Sequence, residues 1–293
     1  MTKVSDVIAA IEKVAPLKFQ DEWDNSGLQV GFASDPVRGV LVCLDVTEEI
    51  VDEAVRRGCT MIVSHHPLLF HSLRQVSDST YQQRCVARAI KEGIAIYSAH
   101  TSLDNARGGV NFKIAELIGL QDLRWLEPKN CCGEPRGPLG LGTDKPCGPA
   151  SPGTDTPGGD PHREAPAGSG LIGTLEKPES KEAFLDRLQK TFQVKSLRHS
   201  EPDDSKPISK VALCGGSGAF LMDKAAKEKA DCFVTGEFHY HDYFERDGML
   251  LVELGHYQSE QFTKDLLRDI LSKSLPGLRI EMTQIDTNPI RYR

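Results

Sequence analysis

GVLVCLDVTEEIVDEAVRRGCTMIVSHH, residues 39–66, reads as an apolar strand, a turn, an amphipathic helix and a second apolar strand that ends on two histidines. Strands this continuous in Val, Leu and Ile are the kind buried on both faces. KVALCGGSGAFLMDKAAKEKADCFVTGEFH, residues 210–239, repeats the order. Cys43 to Ser64 and Cys214 to Thr235 are each 21 residues apart, and at the offset of 171 Asp52 matches Asp223, Ala54 matches Ala225 and Val63 matches Val234. A gapless match of this kind points to an internal duplication.

A second correspondence follows each unit. IAIYSAHTSLD, residues 94–104, carries His100 and Asp104 four apart, and LLVELGHYQSE, residues 250–260, carries His256 and Glu260 four apart. Each segment is an apolar strand that leads to a helix-like stretch, 110–119 in one case and 261–272 in the other. The expected fold class is therefore α/β, with two duplicated repeats built on parallel or mixed sheets. In such sheets functional residues gather at the carboxyl ends of strands, where both constellations fall.

Between the halves, residues 131–169 are rich in Gly and Pro and almost free of β-branched and aromatic side chains. Such a stretch buries too little apolar surface to offset its ordering entropy. The chain is expected to divide into a first repeat at 1–130, a flexible linker or degenerate insertion at 131–169, and a second repeat at 170–293. His162 and Cys147, inside that insertion, are expected to be incidental.

Composition narrows the function classes. Of the 293 residues, 39% are hydrophobic and 26% charged, as in ordinary globular proteins. No apolar run approaches the roughly 18 residues of a membrane span. At the N-terminus Val4, Val7, Ile8, Ile11 and Val14 recur at helical spacing, with Asp6 and Glu12 on the wet side and Pro16 as the stop. That helix is neither a signal peptide nor a presequence, so a cytoplasmic location is expected. The net charge of −7 gives no broad attraction for nucleic acid or anionic membranes, although a single nucleotide ligand stays compatible with it. Of the eight cysteines, Cys43, Cys214 and Cys232 lie in strand-like runs, Cys59 and Cys85 border helices, and Cys131, Cys132 and Cys147 sit in loop-like sequence. No CxxC occurs, so buried reduced thiols are expected.

Several motifs can carry chemistry. SHHPLLF, residues 64–70, places His65 and His66 at a strand end. Neighbouring side chains in extended chain diverge, so the pair suits two adjacent ions, or one ion plus a supporting contact; a packed loop with satisfied imidazoles is as good a reading of the pair alone. The His100/Asp104 and His256/Glu260 pairs, each taken alone, read best as salt bridges or helix caps. Duplicated at matching places, they favour a mixed imidazole–carboxylate site of the type used for zinc, manganese or iron. QDEWDNSGLQVG, residues 20–31, is a turn capped by Asp24 or a loop at the mouth of a site. CGGSG, residues 214–218, is best read as a tight strand-to-helix turn, with anion contact the lesser reading. In TGEFHYHDYF, residues 235–244, Glu237, His239 and His241 are candidates for supporting contacts or proton donors, and His239 and His241 equally for surface positions.

Taken together, EWDNSGLQVG (22–31), SHHPLLF (64–70), SAHTSLDNARGGVN (98–111), GLIGTLEKP (170–178), VTGEFHYHD (234–242) and ELGHYQSE (253–260) resemble the Nif-three-like family (NGG-one-interacting factor three), also called GTP cyclohydrolase 1 type 2 homologues. The resemblance spans everything except 131–169. It implies two intertwined α/β repeats, homo-oligomers assembled as a hexameric ring of dimers, and a centre of two divalent metal ions (zinc, manganese, iron or cobalt). Carried over position by position, it implies that His66 and Asp104 hold one ion, His65 and His256 the other, and that Glu260 bridges them. His100 and Glu237 would be substrate or proton-transfer contacts. The implied function is a metal-dependent hydrolase acting on a small molecule, possibly a nucleotide related to GTP. The alternative is a non-enzymatic metal-binding scaffold that contacts a regulatory protein. Many bacterial members carry a folded domain between the halves; here the Gly/Pro-rich stretch takes its place.

Overall fold

The computed structural model describes residues 1–130, 148–149, 165–202, 206–244 and 248–293. They form an α/β fold with two mixed sheets, organised as two compact units.

The first unit is built on the sheet order β1 (Gly27–Val30), β4 (Ala95–Ser98), β3 (Met61–Ser64), β2 (Val40–Cys43), β12 (Ile280–Met282). All neighbours run parallel except β1 against β4. Every residue of β2, β3 and β4 is buried, which explains their unbroken apolar sequence. Helices α1 (Val4–Glu12), α2 (Glu48–Arg56), α3 (Tyr81–Glu92), α4 (Thr101–Asp104) and α9 (Thr263–Ser274) accompany this sheet. In α2 the acids Glu48 and Glu49 occupy the first turn and Arg56 the last, as the helix dipole favours, while Ile50, Val51 and Ala54 enter the core. Helix α1 buries Val4, Val7, Ile8 and Ile11. Glu12, expected on the wet side, instead accepts a hydrogen bond from the hydroxyl of the buried Tyr97 at 3.3 Å. Burial pushes its carboxyl up to about 7 against the opposing effect of that bond.

The second unit has the order β6 (Gly148–Pro149), β5 (Leu120–Asn130), β7 (Ala167–Glu179), β9 (Ile208–Cys214), β10 (Cys232–Thr235), β11 (Leu250–Glu253), β8 (Arg198–His199). Helices α5 (Val110–Ile118), α6 (Lys181–Phe192), α7 (Met222–Lys227) and α8 (His256–Glu260) belong to it. Its core joins Ile172, Ala212, Leu221, Ala225, Phe233 and Leu251.

The duplication appears as identical strand register. Val40 pairs with Met61 and Cys43 with Ser64 in parallel; at the offset of 171, Val211 pairs with Cys232 and Cys214 with Thr235. Each sheet also places an antiparallel strand beyond its third parallel one, β1 on β4 and β8 on β11.

The boundaries expected at 130 and 170 are not those of the packed units. Arg107–Asn130 belongs to the second unit and Thr263–Ile290 to the first. The cause is main-chain pairing. Leu120–Lys129 pairs antiparallel with Ala167–Leu175, and β12 pairs in parallel with β2, so each segment satisfies its backbone groups on the sheet it joins. Residues 131–147 and 150–164 of the expected linker, with Cys131, Cys132, Cys147 and His162, lie outside the described residues. Its end is corrected: β7 already starts at Ala167, and Ala167 and Ser169 are buried. Cys43, Cys59, Cys85, Cys214 and Cys232 are buried, Cys85 within α3 rather than at its border.

Candidate metal centre

In the first unit β3 and β4 lie side by side, Ser64 opposite Ser98, with their hydroxyls 2.8 Å apart. His65 follows β3 and is fully buried. Its Nδ1 is 3.0 Å from the carbonyl oxygen of Ala99, which can only accept, so Nδ1 carries a proton. Its Nε2 is 3.6 Å from Asp104 Oδ1. The main-chain N–H of His66 donates to Leu44 O at 2.9 Å, and its Nδ1 lies 2.7 Å from Asp45 Oδ1. The other oxygen of Asp45 accepts from Thr287 Oγ1 at 2.7 Å.

His100 caps α4. Its Nδ1 is 2.7 Å from Asp24 Oδ1. Asp24 also accepts from Thr101 N at 3.0 Å, Thr101 Oγ1 at 2.6 Å and Ser26 Oγ at 2.7 Å. Burial alone would raise the pKa of Asp24 and Asp45; the bonds from His100 and His66 overcome it and hold both carboxyls below their usual range. The rings of His65, His66 and His100 have centroids 4.8, 5.4 and 5.5 Å apart. One ligand atom from each falls within 4.8 Å of the others, a grouping able to hold a metal ion.

In the second unit His256 opens α8. Strand register here corresponds to the first unit at an offset of 155, Thr235 opposite Glu253 as Ser64 is opposite Ser98. The His/acid motif sits at 156, and Gly255, with φ of 93°, precedes His256 and caps its helix. The Nδ1 of His256 is 2.9 Å from Glu237 Oε1 and its Nε2 is 3.2 Å from Glu260 Oε2. Glu237 also accepts from Ser217 Oγ at 2.6 Å. Burial would lower the pKa of His256, but two carboxylates around one imidazole raise it to about 11, while the His256 bond draws Glu237 down to about 2. Glu260 is only 3% exposed. A buried carboxylate is stable only when paired, hydrogen-bonded or metal-bound, and His256 Nε2 faces this one.

The CGGSG loop is a tight turn, not an anion cradle. Gly215 N donates to Asn111 Oδ1, Gly216 N to Ser259 Oγ and Gly218 N to Thr235 Oγ1, each at 3.0 Å. Gly216 has φ of 59°, and a Cβ there would overlap Glu260 Oε1 and lie 3.4 Å from His256 Cε1. The loop is glycine so that Glu260 can stand against it.

The seven expected ligand and proton-transfer residues all carry polar contacts: His65, His66, His100, Glu237 and His256 lie just past strand ends, and Asp104 and Glu260 close two short helices. Glu237, a proton-transfer candidate, is a carboxylate that orients His256. His239 and His241 are exposed, and His241 meets Tyr240 edge-on and Phe244 at a tilt. Asp24 is the anchor of His100. Asp45 and Thr287 escaped the sequence reading; the one hint was an acid just past the end of β2. A surface depression in the second unit, lined by Leu197, Arg198, His199, Tyr240 and Tyr243, contains none of these residues.

The fold and the donors define the class: a duplicated α/β protein whose strand ends present oriented imidazoles and carboxylates, able to hold metal. The chain matches the Duf34/NIF3 (NGG1p interacting factor 3) family over residues 2–289 and belongs to it. It is 30% identical over 291 residues to a Lactococcus lactis protein named GTP cyclohydrolase 1 type 2 homolog, covering 98% of both chains. A Bacillus cereus protein related to NIF3 shares the fold with a TM-score of 0.81 at 24% identity, over 100% of this chain and 99% of that one. A Staphylococcus aureus protein does so with a TM-score of 0.82 at 23% identity and the same coverage. Among the described residues no helix is long and apolar enough to cross a membrane.

Proposed function

We propose that this chain is a hydrolase dependent on two divalent metal ions, with His65, His66, Asp104, His256 and Glu260 as the ligands. One observation carries the proposal. His65, His66 and His256, like His100, each engage an oxygen acceptor through Nδ1, which orients Nε2 as the ligand atom. Ligand histidines are held in this way by carbonyls and carboxylates; His199 also faces a carbonyl through Nδ1, but within the first unit the rings so held converge, with one ligand atom each from His65, His66 and His100 within 4.8 Å.

The donor set, three imidazoles and two carboxylates, accepts zinc, manganese, iron or cobalt. Such ions supply Lewis acidity and make water nucleophilic at neutral pH. Asp45 and Glu237 orient their histidines and raise their basicity. His100, backed by the ionised Asp24, is placed to carry a proton to or from substrate. The name of the L. lactis relative supports a purine nucleotide or a related small molecule as substrate. The family description, an interacting factor, favours one rival, a metal-binding scaffold without turnover. A hexameric ring of dimers in the cytoplasm is part of the proposal.

Metal analysis of the purified chain, followed by a hydrolysis screen over nucleotides and phosphoesters, tests it. The expected result is two ions per chain and turnover that tracks metal loading; stoichiometric metal with no turnover supports the scaffold. Glu260→Gln should abolish both metal binding and activity, and two tightly held ions in that variant would remove Glu260 as the bridge.

A further inference from the structure

Trp23 and Phe70 are among the largest exposed apolar side chains of the first unit, at 61% and 43% exposure. They come from segments far apart in sequence, yet their ring centroids are 5.8 Å apart. Both also meet the His100 ring edge-on, at 5.9 and 6.2 Å. Trp23 directly precedes Asp24, whose carboxylate orients His100, so Trp23 and that imidazole share one anchor.

Apolar packing does not account for the pair's placement, since neither ring is buried. Side-chain amides do. Asn25 Nδ2 donates to Leu69 O at 2.7 Å, Leu69 N donates to Gln29 Oε1 at 3.2 Å, and Gln29 Nε2 donates to Asn25 O at 2.7 Å. These bonds tie the loop that carries Trp23 to the loop that carries Phe70. Two exposed rings held by a polar staple beside the His100 imidazole form a preorganised surface. The area of two rings falls far short of the roughly 1,000 Å² that a stable protein interface needs, but it matches the face of one small planar ring.

We propose that Trp23 and Phe70 are specificity residues that receive a planar aromatic or heteroaromatic ring of the substrate by stacking, with the substituent to be cleaved directed toward His100. This rests on the proposed hydrolase for its catalytic meaning, but ring binding is measurable without it.

Trp125 is 1% exposed, so quenching of tryptophan emission by a bound ring reports on Trp23. The full chain, metal-free and zinc-loaded, is titrated with adenosine and with ribose as the ringless control. Adenosine should quench saturably and ribose should not. Phe70→Ala should weaken adenosine about tenfold, within the range for one base–aromatic stack. By equilibrium dialysis Trp23→Ala should show a similar loss and Trp23→Phe should stay near the parent, with zinc content read alongside to show that the fold is intact. Equal effects of ribose and adenosine, or parental affinity in both alanine variants, would overturn the proposal. So would Trp23 emission that shifts with protein concentration alone, which would mark the face as a contact with a second copy. Zinc binding lost while adenosine quenching survives would sink only the metal reading, and the reverse only the ring.

Discussion

Gly216→Ala isolates the role of the CGGSG loop in holding Glu260. Gly216 has φ of 59°, where an alanine costs about 1 kcal/mol or somewhat more. Its Cβ would overlap Glu260 Oε1 and sit 3.2 Å from Cδ. Relieving that contact to a normal carbon–oxygen separation moves the carboxylate by about 1 Å, several times the ~0.2 Å tolerance of metal–ligand distances. Metal affinity should therefore fall at least tenfold, by analogy with the ~10–100-fold losses seen when ligand supports are removed. The fold should survive, with the melting temperature lowered by about 2–6 °C. Gly93→Ala is the control: Gly93 also lies in the left-handed region, at φ of 62°, but nothing comes within 4 Å of its Cβ. It bears the backbone strain without touching a ligand. The assay is chelator competition for zinc alongside thermal unfolding. If Gly216→Ala binds zinc as tightly as Gly93→Ala does, the close approach of this loop to Glu260 does not matter to the centre.

Two further perturbations follow. Asp45→Asn weakens the acceptor of His66 Nδ1 and should reduce metal affinity about tenfold, with Thr287→Val giving a smaller loss through the same carboxylate; unchanged affinity in both would show that His66 needs no such support. Glu12 has its folded pKa raised to about 7, so the native state binds the extra proton. Stability should then fall as pH rises from about 4.5 to 7 and level off above. After discounting for partial exposure, the loss is about 1–2 kcal/mol. Glu12→Gln, which keeps an acceptor for Tyr97, should flatten that slope in urea unfolding at stepped pH, and a parental slope in the variant would point to another group.

Much of the candidate site was legible because it lies where periodic sequence stops. The apolar runs of β3, β4 and β11 locate their own ends, so the polar residues immediately beyond them, His65, His66, His100 and His256, stand out. The duplication made the two His/acid spacings legible, but the partners differ between the halves: His256 faces Glu260, whereas His100 turns to Asp24 and Asp104 lies by His65. Asp45 was not legible in this way. It is one of many acids near a helix start, and only its 2.7 Å contact with His66 distinguishes it. Thr287 lies 242 residues further along the chain. Glu12 was read as wet but is half-buried beside Tyr97, because periodicity records which residues share a side, not what packs over them.

The sequence by itself determined the α/β class, the repeat, the strands and the residue types offered for metal. These follow from local periodicity and from patterns within a few dozen residues, which act wherever the chain goes. The tertiary structure alone decided which sheet each outlying segment completes and which oxygen orients each imidazole. Residues 263–290 join the first unit because β2 presents an edge to β12, and 107–130 join the second because the main chain of β5 is satisfied along β7. Hydrogen bonds are short and directional, so partners remote in sequence become specific only when folding brings their atoms within about 3 Å.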